Sequence, residues 1–215
     1  NGIVEMESRA GGEEWSGDGF LFTRPGAPLD ATPWGVDPVI FQEEDFHRYQ
    51  AGGAVGGPLV PGRTFLFGAL EYGRERENRI LSTARTDFTG SETRETWKAF
   101  ARLDHGWTSS QTTTLHFAGS DVNRAGNGSG VVLPEADVTT VRRGTITALT
   151  HRSALRGGEI SNTVSAQLGT FRWDFPPTAS DLSVPQVTVV GPDRTTVQAV
   201  VGSSNFVFDE LELQL

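Results

Sequence analysis

Trp97-Lys98-Ala99-Phe100-Ala101-Arg102-Leu103-Asp104-His105-Gly106-Trp107 is the stretch whose reading decides the fold class of this chain. Successive side chains of a strand point to opposite faces, so Ala99, Ala101, Leu103, His105 and Trp107 share one face while Phe100, Arg102 and Asp104 share the other. The pattern resumes beyond the turn Thr108-Ser109-Ser110, where Thr113, Leu115 and Phe117 oppose Thr114, His116 and Ala118. One face is apolar and the other polar, the dyad alternation of half-buried strands in a hairpin. An aromatic residue such as Trp107 at a strand end fits the interfacial girdle of a membrane barrel.

Further hairpins lie on both sides of this one. Residues 49–58 and 64–72 flank the turn Pro61-Gly62-Arg63; four glycines in the first run permit close approach of another backbone or a bulky side chain, and the second run is strongly β-forming. Residues 145–154 and 160–173 flank the turn 155–159, with Val164, Ala166 and Leu168 opposite Ser165 and Gln167. Near the start, residues 3–8 and 19–24 are expected to pair across the turn-rich 10–14. Residues 187–190 read as a short strand, and 206–215 as a last one with Val207, Leu211, Leu213 and Leu215 against Phe208, Glu210 and Glu212. Short turns fall near 10–16, 59–63, 108–111 and 155–159. Long polar connections fall at 25–47, 74–95, 121–142 and 175–205, and such asymmetry is expected of an outer-membrane barrel.

Composition agrees with an all-β, antiparallel up-and-down meander. The chain has 215 residues, with glycine 26 and proline 11, which disfavours long helices. No window approaches 18 uninterrupted apolar residues, so there is no transmembrane helix, but a barrel strand needs only about 9–11 residues with alternate ones apolar. A hydrophobic share of 36% and a mean hydropathy of -0.30 suit that dilution. The absence of cysteine excludes disulfides, thiolate catalysis and cysteine-held metals. A net charge of -9 argues against nucleic acid as a partner. Lys98 is the single lysine among 18 basic residues, a bias towards arginine that also suits a wet barrel lumen.

Candidate chemistry is sparse. Asp121-Val122-Asn123-Arg124-Ala125-Gly126-Asn127-Gly128 alternates oxygen ligands around a glycine but lacks the later glutamate of a calcium loop, and reads as an Asn/Gly-rich loop. The acidic groups Glu13-Glu14 and Glu43-Glu44-Asp45 read as solvated loops, because adjacent strand residues point to opposite faces and do not flank one bond. His47, His105, His116 and His151 are scattered, and no HExxH, GxSxG or P-loop motif is present. The expectation is no enzyme, and no catalytic, cofactor or metal residues.

The ordered segments resemble a known family. Residues 49–60, Tyr-Gln-Ala-Gly-Gly-Ala-Val-Gly-Gly-Pro-Leu-Val, followed by Thr64-Phe65-Leu66-Phe67-Gly68-Ala69-Leu70-Glu71, resemble the Gly-Gly-x-x-Gly-Gly-Pro and Phe-Phe-Phe-Gly-x-x-Glu hairpin of TonB-dependent outer-membrane receptors of the Oar-like, carboxypeptidase-regulatory-domain-associated group. Residues 2–11 look like the strand after that group's plug, with Gly17-Asp18-Gly19-Phe20 and Arg24 following. Arg102-Leu103-Asp104-His105 is similar to its Arg-Leu-Asp-His strand, and residues 185–189 to a loop segment ahead of a later strand. Pro61-Gly62-Arg63 replaces the usual lysines of the turn.

The resemblance implies a Gram-negative-type outer membrane, lipid around the wall, and a substrate, unspecified by sequence, that is imported or exported. It also implies TonB acting through a plug. Family barrels have about 22 strands. No signal peptide, TonB box or plug is legible in residues 1–215, so the chain is expected to be the early barrel, roughly eight to ten strands, of a longer protein. Gly52, Gly53, Gly56 and Gly57 suit close packing of the wall or contact with a plug. The stripe Leu103, Leu115, Phe117 and Leu168 suits a lipid-facing band or the core of a soluble β-sandwich adhesion module, and the loop asymmetry favours lipid. A small independent barrel is the third reading.

Overall fold

Alternation on this scale has to pair with more alternation, and it does. The computed structural model describes residues 8–26, 47–82, 87–125, 137–178, 187–190, 196–200 and 207–214; within 77–82, 87–91, 187–190 and 196–200 it describes the backbone alone. Ten strands follow in order: β1 (Ser16–Pro25), β2 (His47–Val60), β3 (Thr64–Ser82), β4 (Asp87–Thr108), β5 (Gln111–Arg124), β6 (Thr140–Leu155), β7 (Ile160–Asp174), β8 (Val187–Val190), β9 (Thr196–Val200) and β10 (Val207–Gln214). Eight form one antiparallel meander, β1-β2-β3-β4-β5-β6-β7-β10, and β8 with β9 makes a separate hairpin. β1 and β10 are the edges of the large sheet and do not pair with each other, so the sheet is not closed.

The three short turns are as the sequence reading places them. Gly62 takes φ +66° in the β2–β3 turn, where a side chain would be strained. A single 3-10 turn, Arg156–Gly158, joins β6 to β7.

Four expectations are corrected. Residues 19–24 are strand, but β1 pairs with β2, Phe20 opposite Gly52, and not with a preceding strand. Residues 8–15 have no regular structure, and 3–7 lie outside the described residues. The stretch 74–95 is not a long connection: β3 runs to Ser82 and β4 starts at Asp87, in unbroken register from Thr64↔His105 to Ser82↔Asp87. Its mixed charges hid the strands because they pair across them, Arg74 opposite Glu95 and Glu75 opposite Arg94. Likewise β5 extends through Arg124, and β9 falls inside the stretch expected to be the last long connection.

Register divides the side chains into two faces. Rows such as Leu66–Leu103–Leu115–Leu149 and Gly68–Ala101–Phe117–Thr147–Leu168–Leu213 belong to one, here the outer face. Rows such as Phe67–Arg102–His116–Ala148–Gln167 belong to the other, the inner face, across which residues 8–15 run. Among the described residues Phe67 is the only buried apolar side chain, whereas Leu70 is 54% and Leu211 72% exposed. The described residues make no hydrophobic core of the kind a soluble domain has.

Candidate functional site: the inner wall and its membrane belt

The height of the apolar outer face sets where any site can lie. On β4 the outer face begins at Trp97, whose ring is 4.5 Å from that of Tyr72, and ends at Trp107, whose ring is 4.4 Å from that of His105. Ten residues at roughly 3.3 Å each span about 33 Å along the strand. A tilt of about 40° reduces that to about 25 Å, the height of the apolar band of a transmembrane barrel. Between these levels the outer rows are Gly53–Leu70–Ala99–Gly119–Thr145–Thr170–Leu211, the Gly68 row and the Leu66 row, and none carries a charge. The one polar pair among them satisfies itself, Thr145 Oγ1 lying 2.6 Å from Thr170 Oγ1.

Both ends of the belt are marked. At the short-turn end Thr64 Oγ1 is 2.8 Å from His105 Nδ1, Trp107 Nε1 donates to Thr113 Oγ1 at 2.8 Å, and Thr113 Oγ1 is 2.9 Å from His151 Nδ1. Two of the scattered histidines therefore fall in one interfacial row. At the other end the level of Trp97 continues as Asp121–Arg143–Arg172–Asp209, with Arg143 Nε 2.6 Å from Asp121 Oδ2. Asp121 thus stands in a strand holding an arginine. Gly126, Asn127 and Gly128 of the considered calcium loop lie outside the described residues, and no group of three metal-ligating side chains occurs among those described.

Charges within the height of the belt lie on the inner face. Residues 7–87 match the family model of an outer membrane beta barrel domain. The sheet is outer-membrane barrel wall, its outer face towards lipid and its inner face towards the lumen. No curated protein and no solved structure matches the chain. The sandwich reading is set aside, since Leu115, Phe117 and Leu168 stand exposed on the lipid face.

The lumenal side of this wall is built around Arg102 and Asp104, which alternation places on one face. Arg102 Nε donates to Asp104 Oδ2 at 2.7 Å and Nη2 to Oδ1 at 3.0 Å, with side-chain exposures of 14% and 13%. Thr114, opposite Asp104, donates its hydroxyl to Oδ1 at 2.7 Å. The third nitrogen, Nη1, donates to the carbonyl and hydroxyl oxygens of Ser8. Ser8 Oγ is in turn 3.1 Å from His116 Nε2. The Arg-Leu-Asp-His stretch is thus a lumenal clamp on the incoming chain, its His105 facing lipid.

The glycines complete the clamp. Gly11 passes so close over β2 and β3 that a Cβ there would overlap the Leu66 carbonyl oxygen, and a Cβ on Gly56 would lie 3.3 Å from Gly11 Cα. Phe20 covers Gly52 on this inner face, whereas Trp15 covers Gly57, which stands opposite Leu66 on the outer face. Arg9 lies over the Phe67 ring at 5.4 Å and pairs with Asp18 at 3.1 Å. Of the acidic groups considered as catalytic pairs, Glu13 and Glu14 are exposed, and Glu43, Glu44 and Asp45 lie outside the described residues.

Higher on the inner face, sequence reading missed a row. Arg24↔Arg48↔Glu75↔Arg94↔Arg124 places four arginines and one glutamate side by side on five adjacent strands. Only the register brings them together, and three of the five, Glu75, Arg94 and Arg124, sit in stretches that read as loops.

Proposed function

We propose that this wall belongs to a TonB-dependent outer-membrane transporter, through whose lumen a solute crosses, and that its role is passage and positioning without bond chemistry. One observation carries the reading. Across the height of the belt the charged side chains, Glu71 with Lys98 and Arg102 with Asp104, face inward, while the lipid face has none. A lumen packed solid with apolar side chains would not need them, whereas a wet lumen solvates them.

The clamp supports the finer assignment. Residues 8–15 enter across the lumenal face of the wall and are tied to Arg102, as expected where a chain arrives from an element inside the barrel. The unpaired edges β1 and β10 support further strands, since edge N–H and C=O groups find no partners in hydrocarbon.

The test is the full reading frame and its product. The expected frame encodes a plug before residue 1 and further barrel strands after residue 215, and the purified product cross-links to the periplasmic domain of TonB. A frame holding only these strands behind a signal peptide, or a product with no TonB cross-link, overturns the assignment.

A further inference from the structure

We propose that a glycine-floored cavity on the lumenal face of β5, β6, β7 and β10 binds a small organic cation, an ammonium or guanidinium compound with an apolar body. The inference names a substrate class for the passage proposed above and rests on that reading.

The cavity has a volume of about 460 Å³, within the size range of small-molecule sites. It lies in the two inner-face rows next to the Arg102 row on its long-loop side. Gly144 stands opposite Phe171 and Gly169 opposite Ile146, so two side chains alternate with two gaps. On β10, Glu210 stands opposite Phe171 and Glu212 opposite Gly169.

Neither glycine is there for want of room. A Cβ on Gly144 would come no nearer than 3.7 Å to any atom, and one on Gly169 no nearer than 3.8 Å, both ordinary contact distances. Neither takes a positive φ. Gly52, by contrast, has no space for a Cβ beside Phe20 and the Leu70 carbonyl. Glycine weakens the interior of a strand, so a wall selected for stability alone would carry larger residues at 144 and 169. What these two glycines keep is open space above the backbone.

The surroundings of that space set the ligand class. Among the described residues Glu210 and Glu212 have neither an ion pair nor a hydrogen bond, and the cation at the rim, Lys98, is held by Glu71 at 2.9 Å. Two residues apart on one face, the glutamates stand roughly 7 Å from each other. The next row towards the mouth shows what a ring of this face holds: the Arg142 guanidinium lies 4.1 Å above the Trp173 ring. Phe171, two residues before Trp173 on the same face, has no cation over it among the described residues. A ring face beside two unneutralised carboxylates attracts positive charge, and the open floor takes the apolar body that carries it. An anion is repelled there, and a neutral solute leaves both carboxylates unpaired.

The experiment uses the full-length protein in detergent and three indole probes of like shape, read by calorimetry at low and high salt. At neutral pH tryptamine is a cation, tryptophol is uncharged and indole-3-propionate is an anion. Tryptamine is expected to bind, more weakly at high salt, about tenfold or more tighter than tryptophol, and indole-3-propionate not at all. E210Q/E212Q is expected to weaken tryptamine by about tenfold or more without changing tryptophol. G169L, which fills the floor, is expected to abolish binding of both. E13Q/E159Q, which removes two exposed carboxylates away from the cavity, is expected to change neither. Heat-modifiable electrophoretic mobility checks that each variant is folded, and the near-isosteric E210Q/E212Q decides the matter if G169L does not fold. Absence of tryptamine binding, as when a plug already fills the cavity, overturns the inference, and so does equal affinity for tryptophol or in E210Q/E212Q. A full-length structure in which arginine or lysine of the next strand pairs with both glutamates overturns it as well. Binding that persists in a protein with no TonB cross-link keeps this site and overturns the transporter reading; TonB cross-linking without binding does the reverse.

Discussion

At the scale of single residues, the Arg102–Asp104 pair and the Lys98–Glu71 pair have similar chemistry and different worth. The first is mostly shielded and uses every guanidinium nitrogen, on Asp104 and Ser8, so removing one partner strands a charge. Asp104→Asn is therefore expected to cost about 3 kcal/mol in urea unfolding of the lipid-reconstituted protein. Lys98→Gln breaks a pair whose lysine is 60% exposed, and is expected to cost at most about 1 kcal/mol in the same titration. Equal costs would show that the clamp is no better shielded than the Lys98–Glu71 pair. That Arg102 and Asp104 share a face was legible from their spacing. Ser8 was not, because nothing local tells a residue that its hydrogen-bond partner lies 94 positions away. Gly11 makes a related point: Gly11→Val is expected to release residues 8–15 from the wall, read as faster proteolysis within that segment while the barrel keeps its heat-modifiable mobility.

At the scale of elements, β4 and β5 were legible because each residue reports its own face, and the outer stripe Leu103, Leu115, Phe117 and Leu168 was assigned residue by residue. The ends of β3 and β4 were not legible. Past the belt both faces meet water, alternation vanishes, and a charged strand resembles a loop until its cross-strand partner is known. The same blindness hid the arginine row, which exists only as register. The two faces of one hairpin make a sharp contrast for mutation. Leu103, near mid-height between the two tryptophans, faces lipid, so Leu103→Arg is expected to destabilise by about 2–4 kcal/mol. Ala118, on the neighbouring strand and the inner face, should accept arginine for less than about 1 kcal/mol. Urea titration in lipid vesicles measures both, and equal penalties would mean that both faces are equally dry.

At the scale of the whole molecule, wall thickness and wall height are separate matters, and the extended β3–β4 hairpin separates them. Its paired backbone continues well above Trp97, yet hydrocarbon ends near that residue, because the outer row at that level is already Asp121–Arg143–Arg172–Asp209. Strand length alone would place the membrane far too high. Residues 1–215 hold no cysteine, so a single-cysteine spin label introduced here has no second labelling site within this segment. Labels at Ala99, Ala101 and Leu103 should be accessible to oxygen dissolved in lipid, and labels at Phe100 and Ala118 to a water-soluble nickel complex. Labels at Thr93 and Glu95, still within β4 but above the belt, should all meet the nickel complex, without a period of two. The switch from alternating to uniform accessibility is expected near Trp97, with the return to water about 25 Å below it, near Trp107. If alternation between lipid and water persisted up to residue 93, the hydrocarbon boundary would lie above the Tyr72–Trp97 pair, and the arginine row would be buried inside the membrane and not at the mouth.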